Sequence, residues 1–417
     1  MGKLRIGILG ASRGMDFARQ LLKNYEYAEL TAVCESYEVL RKKTENYLSE
    51  NGFHSKCYSD YDEFLDSGLD AVIIANYANE HCGYAIRALK RGIHVLSEVQ
   101  PVQTLAEACE LCDAVEASGC IYSYAENYCY FDTNFTMRRL YEAGEIGEAV
   151  CLEGTFCNDC SWKWNLLTRG QRDHWRNYVP STFYCTHSIG PMLYSTGLRA
   201  VRVNGLEIPR MEYMAEKGAR SGSAAMEVME LDNGGIARSL NGNLRYPYEA
   251  SYRLIGEKGS IVSTVNGVRL YRHTSEAGFD IRDFTDTYTS YRFRPHYKTG
   301  NVENGTFAAF AYFIGAIFGD DEGKKYTIDV YRAMDMAIPG LLAYRSIIDG
   351  CAPYTVPDLR DNAQRDAYRN DRYCTDPRTP EEYRLPTSKS GTPEVDDSVY
   401  QRVRESFSAV NLTPGGK

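Results

Sequence analysis

The residue types best suited to proton transfer stand in two short segments of the sequence. His187 carries the one side chain whose ordinary pKa, about 6.5, suits proton transfer at neutral pH. Tyr184 stands one helical turn before it, so a helix puts both side chains on a shared face. Glu126 follows a strand-like run and is the strongest candidate for a further acid or base. We expect these three residues to be catalytic; the alternatives are a capping or core histidine and a structural ion pair of Glu126.

A second group of polar and aromatic side chains lies in the loop-like stretch 158–177. Asp159, His174, Trp175 and Arg176 are expected to bind substrate hydroxyls there by hydrogen bonds and ring stacking. Asp159, His174 and His187 are also metal-ligand types, but their spacing is irregular, so we predict no metal site.

Two cysteine pairs, Cys109/Cys112 and Cys157/Cys160, have the C-x-x-C spacing found in zinc sites. The first pair lies on an apparent amphipathic helix, which indicates buried structural thiols. The second pair lies in a loop-like stretch before Trp162, and its role stays open. The 13 cysteines are odd in number and scattered, which argues against a secreted disulfide framework and favours the cytoplasm.

A glycine-interrupted turn follows the first apolar run, residues 4–9. Gly10, Ser12, Arg13 and Gly14 precede a stretch with helical spacing, which gives the order strand, tight turn, helix. Small residues in such a turn let the backbone approach a pyrophosphate, and the helix N-terminus offers free N–H donors. We expect all four residues to contact a dinucleotide; an ordinary tight turn is the alternative.

Acidic and polar side chains follow the next apolar runs. Glu35 ends the second run, at the distance from Gly10 where an acidic residue meets the adenosine ribose, and its charge would repel a 2′-phosphate, which favours NAD over NADP. Ligands of parallel sheets bind outside the carboxyl ends of the strands. Asn76 follows the third run, and Glu98 and Gln100 follow the fourth, so these three are also expected at the cofactor. The third, fourth and fifth runs lie at 70–75, 93–97 and 120–124.

After about residue 145 the pattern changes to short strands joined by glycine turns, which is typical of a mostly antiparallel sheet. Strands are predicted at 149–157, 201–207, 225–231, 235–240, 249–255, 259–265 and 268–273, and helices at 306–318 and 327–348. The predicted fold class is α/β, an N-terminal Rossmann dinucleotide-binding domain plus a C-terminal α+β domain with a large, open sheet. The predicted domains are 1–125 for the dinucleotide, 126–355 for substrate binding and oligomerisation, and 356–417 as an extended arm or partly ordered tail.

The composition excludes several classes of partner. The 417 residues carry 47 Lys plus Arg against 56 Asp plus Glu, a formal charge of −9, which gives no general attraction to nucleic acid or anionic lipid. No apolar stretch reaches the roughly 18 residues that span a bilayer, and the first apolar run is too short for a signal peptide. We expect a cytoplasmic chain with no nucleic-acid or membrane partner. Because the predicted helices are too few to cover both faces of the open sheet, we also expect a homo-oligomer.

The order of these elements resembles the Gfo/Idh/MocA oxidoreductase family over roughly residues 1–350. The likeness rests on the glycine-rich turn, the acid after the second strand, a Glu-to-Pro motif after the fourth strand and the antiparallel sheet. Members of the family carry Glu-Lys-Pro, whose lysine lies by the nicotinamide and the reacting hydroxyl. Here the motif is Glu98-Val99-Gln100-Pro101, which lacks the cation that stabilises a developing alkoxide in the ordinary dehydrogenase mechanism.

Two further motifs are similar to the NAD-dependent glycoside hydrolase branch of that family, typified by bacterial alpha-N-acetylgalactosaminidases. They are Glu126-Asn127-Tyr128-Cys129-Tyr130 and Tyr184-Cys185-Thr186-His187-Ser188-Ile189-Gly190-Pro191. Asp159 matches the branch, but Phe156 and Asn158 stand where it has a tyrosine and a histidine. The same sugar specificity is therefore not expected.

The resemblance implies NAD as the cofactor and a sugar or glycoside as the substrate. In the implied reaction hydride leaves C3, the ketone acidifies the C2 proton, a base removes it to expel the C1 substituent, and water and hydride then add back. The resemblance implies that His187 deprotonates the C3 hydroxyl, that Glu126 serves other proton transfers, and that His81 lies beside the cofactor. A plain sugar 3-dehydrogenase and, in another class, a non-catalytic NAD-binding regulator are the alternatives.

Overall fold

The structure is a computed structural model that describes residues 2–19, 25–245, 249–274, 278–285, 301–407 and 414. Its first sheet has six parallel strands in the order β3-β2-β1-β4-β5-β6. The strands are β1 Leu4–Leu9, β2 Ala28–Cys34, β3 Lys56–Tyr58, β4 Ala71–Ile74, β5 His94–Ser97 and β6 Tyr122–Tyr124. In this doubly wound order, a ligand crevice opens at the carboxyl ends of β1 and β4, where the strand order reverses.

Helices connect these strands and cover the sheet. They are α1 Gly14–Phe17, α2 Glu38–Glu50, α3 Tyr61–Leu65, α4 His81–Leu89 and α5 Leu105–Ser118. Every residue of β4 is buried and apolar, as a strand with a helix layer on each face requires. Helix α5 begins where the Thr104 hydroxyl accepts from the backbone N–H of Glu107, a hydrogen bond typical of a capping box.

The second sheet has nine strands in the order β14-β13-β12-β11-β7-β10-β9-β8-β15. The strands are β7 Ala149–Cys157, β8 Ala200–Ile208, β9 Ala224–Leu231, β10 Ile236–Gly242, β11 Glu249–Gly256, β12 Gly259–Thr264, β13 Gly267–Thr274, β14 Gly278–Phe284 and β15 Tyr354–Thr355. Neighbouring strands are antiparallel except β7 and β10, which are parallel.

One face of this sheet carries the helix on which the candidate catalytic histidine lies. The helices are α6 Asp132–Glu142, α7 Trp164–Thr168, α8 Cys185–Thr196, α9 Glu212–Ala215, α10 Asn301–Ile317, α11 Asp321–Tyr326, α12 Val330–Ile348, α13 Asn362–Tyr368 and α14 Asp397–Glu405. Helix α8 packs against β7 at Gly154, where an added Cβ would lie 1.8 Å from the carbonyl oxygen of Ser188. Glycine therefore sets how close α8 lies to the sheet.

Residues 387–404 lie against the second domain, whereas residues 359–378 run back over the first. The guanidinium of Arg365 is almost completely buried and donates to Asp113 at 2.8 Å and to Glu116 at 2.7 Å, both on α5. It also donates to the carbonyl oxygen of Leu359. This segment is thereby tied to the first domain by buried, charge-assisted hydrogen bonds.

The predicted fold class is confirmed by the two sheets and their strand directions. The sequence analysis missed β3, which has only three residues, and β14, an edge strand whose side chains are mostly exposed. The helix predicted to begin at residue 327 begins instead at Val330, because the Asp329 side chain caps its first turn. No helix in the described part of the chain is long and apolar enough to cross a bilayer.

Candidate active site

A histidine and a glutamate form a buried pair at the start of α8. His187 Nδ1 lies 2.8 Å from Oε1 and 2.9 Å from Oε2 of Glu126. Glu126 is completely buried, and its Oε1 also accepts from the backbone N–H of Tyr128 at 3.2 Å. Because an ionised carboxylate only accepts hydrogen bonds, the proton of the imidazole lies on Nδ1. Nε2 of His187 is left to accept a proton from a ligand.

Aromatic rings hold the imidazole in place. The His187 ring centroid lies 4.7 Å from that of Tyr128 and 4.7 Å from that of Phe156. The ring of Tyr184 lies 5.5 Å away and nearly parallel, so the shared helical face predicted for these two residues is observed. The Tyr252 hydroxyl donates to the backbone carbonyl of His187 at 2.6 Å. The histidine is thus fixed by packing on its ring and by hydrogen bonds at Nδ1 and at its backbone.

A cation adjoins this aromatic stack. Arg176 Nη1 donates to the Tyr184 hydroxyl at 3.0 Å. The carbon at the centre of the Arg176 guanidinium lies 4.6 Å from the Trp175 ring centroid, within the range of cation–π attraction. The tyrosine phenol is therefore oriented by a group from the loop after β7.

These side chains open onto a cavity of about 390 Å³, a size that suits a small-molecule ligand. On the side of the first sheet it is lined by Arg13, Ala75, Asn76, Ala78, His81, Glu98, Val99 and Asn127. Beyond His187 and Tyr184 the polar lining comes from Asn158, Cys160, Lys163, Arg176, Ser181, Ser223, Asn241 and Asn243. One end thus adjoins the predicted dinucleotide crevice, and the other lies against the second sheet.

The turn after β1 has the shape that a dinucleotide needs. Gly10 has φ +92°, and a Cβ there would lie 2.6 Å from the carbonyl oxygen of Ala75. A Cβ at Gly14 would lie 2.3 Å from Ile8 Cγ2, so only glycine lets α1 start this close to the strand. Glu35 stands at the end of β2 and accepts from the backbone N–H of Ala11 at 3.0 Å. These residues fit a dinucleotide whose ribose lies at Glu35 and whose pyrophosphate lies at the turn.

The other predicted cofactor residues surround the cavity end of this crevice. Arg13 Nε donates to Glu98 Oε1 at 2.8 Å, which ties the turn to the segment after β5. Asn76 Oδ1 is buried with no hydrogen-bond partner among the described residues, so a ligand donor can satisfy it. Burial lowers the pKa of His81, whose Nδ1 lies 2.9 Å from the carbonyl oxygen of Gln100, so the ring is neutral at this position.

Gln100 is engaged in a structural contact. Its Nε2 donates to the carbonyl oxygen of Phe183 and to the hydroxyl of Thr186 at 3.2 Å. It is almost completely buried, and Val99, not Gln100, lines the cavity. The residue at the family's lysine position therefore anchors the start of α8. A contact between Gln100 and the cofactor stays a prediction.

Of the four loop residues predicted to bind substrate, Arg176 lines the cavity and the other three do not. Asp159 accepts from the backbone N–H of Ser161 at 2.8 Å. Burial, and then the nearby arginines led by Arg176, lower the pKa of His174 to about 3, so this histidine is neutral. Trp175 is buried under the Arg176 guanidinium. Among the described residues, no cluster of three His, Cys, Asp or Glu side chains could hold a metal ion.

The sequence analysis did not single out several residues of the cavity lining, among them Lys163, Trp164 and Asn241. Lys163 and Trp164 lie in the stretch 158–177, which was predicted to bind substrate, so their place in the sequence could have identified them. Asn241 lies on β10 and carried no local signal. Its Nδ2 donates to both carboxylate oxygens of Glu227, at 2.8 and 3.0 Å, while its Oδ1 is buried with no partner among the described residues.

Comparison with known proteins agrees with this geometry. Residues 4–126 match the model of a family described as oxidoreductase family, NAD-binding Rossmann fold. A glycosyl hydrolase family 109 protein of Solibacter usitatus is 24% identical over 404 residues, which is 86% of this chain and 88% of that protein. The glycosyl hydrolase family 109 protein 2 of Shewanella sp. strain ANA-3 is 26% identical over 203 residues, 46% of this chain and 44% of that protein. A solved levoglucosan dehydrogenase, in complex with NADH and levoglucosan, has a TM-score of 0.67 at 17% identity and covers 85% of this chain and 100% of its own, which shows the fold alone.

The chain resembles the Gfo/Idh/MocA oxidoreductase family, as predicted, and the model of that family matches residues 4–126. It is an NAD-dependent enzyme, and both predictions, the enzyme class and the cofactor, are confirmed. The predicted similarity to the glycoside hydrolase branch of the family is confirmed by the family 109 relatives.

Proposed function

We propose that the chain acts on a sugar or glycoside by hydride transfer at C3 and cleaves the glycosidic bond through a transient 3-keto intermediate. The observation that carries the proposal is the His187–Glu126 pair, whose histidine faces a cavity at the crevice of the NAD-binding domain. A histidine held by a carboxylate at Nδ1 is a general base at Nε2. The relatives named glycosyl hydrolases support a glycoside as the substrate class.

NAD⁺, when bound at the crevice, supplies a hydride acceptor for a carbon that bears a hydroxyl. His187 Nε2 takes the proton of the C3 hydroxyl, and the Glu126 carboxylate stabilises the imidazolium that results. Glu126 is buried behind the ring and does not line the described cavity, so it acts through His187 as a positioning residue. This role replaces the direct acid–base role expected for Glu126 from its place in the sequence.

Tyr184 is the second group at the cavity that can move a proton. The Tyr184 phenolate, formed when the hydroxyl gives its proton to solvent and held by the Arg176 guanidinium, takes the proton from C2 of the ketone. The C1 substituent then leaves with its bonding electron pair as the C1–C2 double bond forms, and it takes a proton from water. Water then adds at C1, C2 regains a proton and C3 regains its hydride. The net reaction consumes the glycoside and one water and changes no oxidation state.

The test is turnover of aryl glycosides in deuterated water, with and without added NAD. The proposal predicts release of the aryl alcohol without accumulation of NADH, and deuterium at C2 of the recovered sugar. NADH formed in proportion to a keto sugar, with the glycosidic bond intact, would instead establish the plain 3-dehydrogenase. Tyr184→Phe serves as a matched variant, because it should lose exchange at C2 while keeping oxidation at C3.

We infer a small sugar or glycoside as the partner of this site and no nucleic-acid or membrane partner. All 13 cysteines are free thiols, which fits a reducing compartment, and we propose a cytoplasmic location on that ground.

A further inference from the structure

The substrate end of the cavity carries positive charge without a matching carboxylate. Its described lining contains three cations, Arg13, Lys163 and Arg176, and one carboxylate, Glu98. Glu98 is already paired with Arg13 at the cofactor end. Lys163 and Arg176 therefore remain, among the described residues of the lining, without a carboxylate of their own on the wall that faces the substrate.

The surroundings of these two cations are neutral. Arg176 donates to the Tyr184 hydroxyl and stacks on Trp175, and it forms no ion pair with any described carboxylate. The ammonium of Lys163 lies 5.4 Å from the ring centroid of the exposed Trp162, and it too lacks an ion-pair partner within the described ranges. By contrast, Arg172 in the same loop pairs with Asp397 and Glu394.

The described carboxylates near the cavity form no ion pair with the two cations and have other hydrogen-bond partners. Asp159 accepts from a backbone N–H and lies 3.9 Å from Arg245, and Asp173 accepts from a tyrosine hydroxyl. Glu207 accepts from the Ser181 hydroxyl and from the backbone N–H of Lys389. A low-dielectric cleft with one sign of charge focuses its field on the ligand that enters it.

The contacts of Tyr184 indicate where the Arg176 guanidinium lies relative to the carbon that reacts. Arg176 touches the hydroxyl of Tyr184, whose ring lies against that of His187. If His187 Nε2 meets the C3 hydroxyl, the contact of Arg176 with Tyr184 places the guanidinium beside the same sugar. An anion bound by Arg176 is therefore attached to the sugar that reacts, and Lys163 adds a second, more flexible charge from the loop.

We propose that the substrate carries an anionic group on its reacting sugar, held by Arg176 and Lys163. This inference rests on the proposed function and adds the class of substrate, an acidic glycoside. A carboxylate, as in a hexuronic acid, and a phosphate or sulfate ester share the required chemistry. Arginine binds all three by charge-assisted hydrogen bonds, bidentate for the planar carboxylate.

The experiment compares nitrophenyl glycosides that differ only at C6 of the sugar: the neutral hexoside, the hexuronide, the 6-phosphate and the 6-sulfate. We expect the full-length protein with NAD to prefer at least one acidic form over the neutral one by about tenfold or more in kcat/KM. The acidic form with the highest value identifies the anion. Equal or better use of the neutral hexoside overturns the inference and leaves the proposed function standing.

Binding of the free sugars gives a second readout that does not depend on turnover. Calorimetry with NAD present should show tighter binding of hexuronate or sugar 6-phosphate than of the neutral hexose. If no glycoside is cleaved but the acidic sugar binds more tightly, the proposed function fails and this inference stands. If neither measurement shows a preference for the anion, the inference is wrong.

Substitutions of the two cations test whether they bind the anionic group of the substrate. Arg176→Gln and Lys163→Gln should each lower the acidic preference by about tenfold while the affinity for NAD stays unchanged. Arg172→Gln is the matched control, because it removes an arginine of the same loop that pairs away from the cavity, and it should leave the preference unchanged. A loss of NAD affinity in Arg176→Gln with an unchanged sugar preference would show that Arg176 serves the cofactor's pyrophosphate, which contradicts the inference.

Discussion

At the scale of single residues, His187 and Glu126 have different roles in the proposed proton transfer. The histidine faces the ligand, and the glutamate, completely buried behind it, fixes which ring nitrogen carries the proton. A carboxylate so buried is stable because it accepts from both the imidazole and a backbone N–H. These different roles predict different losses of turnover when His187 and when Glu126 is substituted.

His187→Ala should lower turnover by roughly 100-fold or more, the usual contribution of a general base, because no other group takes the hydroxyl proton. The affinity for NAD should stay nearly the same. Steady-state kinetics on the active glycoside and calorimetry with NAD check the two parts. A folded variant with near-parental turnover would remove this residue from the mechanism and make Tyr184 the next candidate base.

Glu126→Gln should lower kcat by about 10³- to 10⁴-fold with little change in KM, because the amide can donate to Nδ1 and so favours the tautomer with its proton on Nε2. Glu126→Asp should recover part of the activity by restoring an acceptor. The measurements are kcat and KM for both variants beside the parent. Equal loss in the two variants would indicate that Glu126 serves only the packing of this region.

The sequence alone identified the residue types of this site but not their contacts. The spacing of Tyr184 and His187 predicted that they share a face of a helix, because a helix fixes that geometry locally. The pairing of His187 with Glu126 joins segments far apart in the chain, so no local pattern could reveal it. Lys163 was missed because a lysine in a loop usually extends into solvent, and only the folded loop turns it to the cavity.

At the scale of elements, the contact of α8 with β7 positions His187, the proposed general base. Gly154→Ala should reduce the free energy of unfolding by about 1–3 kcal/mol, because the new methyl group meets the helix backbone at Ser188. It should also lower kcat by displacing His187. Gly83→Ala on α4 is the control: its Cβ meets nothing within 4 Å, so the variant should be as stable as the parent or more stable. Urea unfolding and kcat report both effects, and an unchanged Gly154→Ala variant would refute the close contact.

Beneath the cavity, β9 carries a buried carboxyl whose proton should make stability depend on pH. Burial raises the pKa of Glu227 to about 8, above its value of about 4.3 in an unfolded chain. The folded state therefore keeps a proton that the unfolded state has lost, and stability falls as pH rises from about 4.3 to 8. Glu227 alone can lower the free energy of unfolding by at most about 1.4 kcal/mol for each pH unit.

Glu227→Gln should make that decline shallower, because the amide stays neutral at every pH while Asn241 can still donate to its oxygen. Burial also raises the pKa of Glu107, to about 7. Glu107 therefore contributes equally to the pH dependence of stability in the parent and in Glu227→Gln. Glu230→Gln, on the same strand but exposed and paired with Arg202, is the control. Urea titrations from pH 5 to pH 9 measure the slopes; equal slopes in parent and Glu227→Gln would contradict the buried proton.

Elements were predictable where burial imposes a pattern on the sequence. Strand β4 has only buried apolar residues and was found from composition alone. Strand β3 is too short to show a period, and β14 is an edge strand with no covered face to dictate alternation. Their strand structure depends on pairing with neighbours, which only the assembled sheet provides.

At the scale of the whole molecule, one face of the second sheet has no helix of the described residues packed on it. Leu206, Val228 and Ile236, on adjacent strands, are 60%, 47% and 55% exposed. Their registers place them on the same face, because Val228 pairs with Asn204 and Arg238, and Leu206 and Ile236 each stand two residues from one of those partners. Such a face of a nine-stranded sheet is suited to a second copy of the chain.

We therefore predict a homo-oligomer through this face. Light scattering at micromolar concentration should give a mass of at least twice that of one chain, and Val228→Asp should shift it towards the monomer. Thr155→Asp, on the central strand β7, tests how far the interface extends. A parental protein that is monomeric under these conditions would show that the face stays exposed to water.

The burial of Arg365 against α5 has a consequence for how the chain is made. The guanidinium and its partner Asp113 are separated by 252 residues. At a synthesis rate of about 5–20 residues per second, α5 leaves the ribosome about 13–50 s before the arginine that neutralises its two carboxylates. Throughout that interval the first domain exposes a surface that residues 359–378 will later cover. Newly made chains therefore pass through a period in which the nucleotide-binding half is accessible to chaperones and proteases, and this period ends only when residues 359–378 have been made.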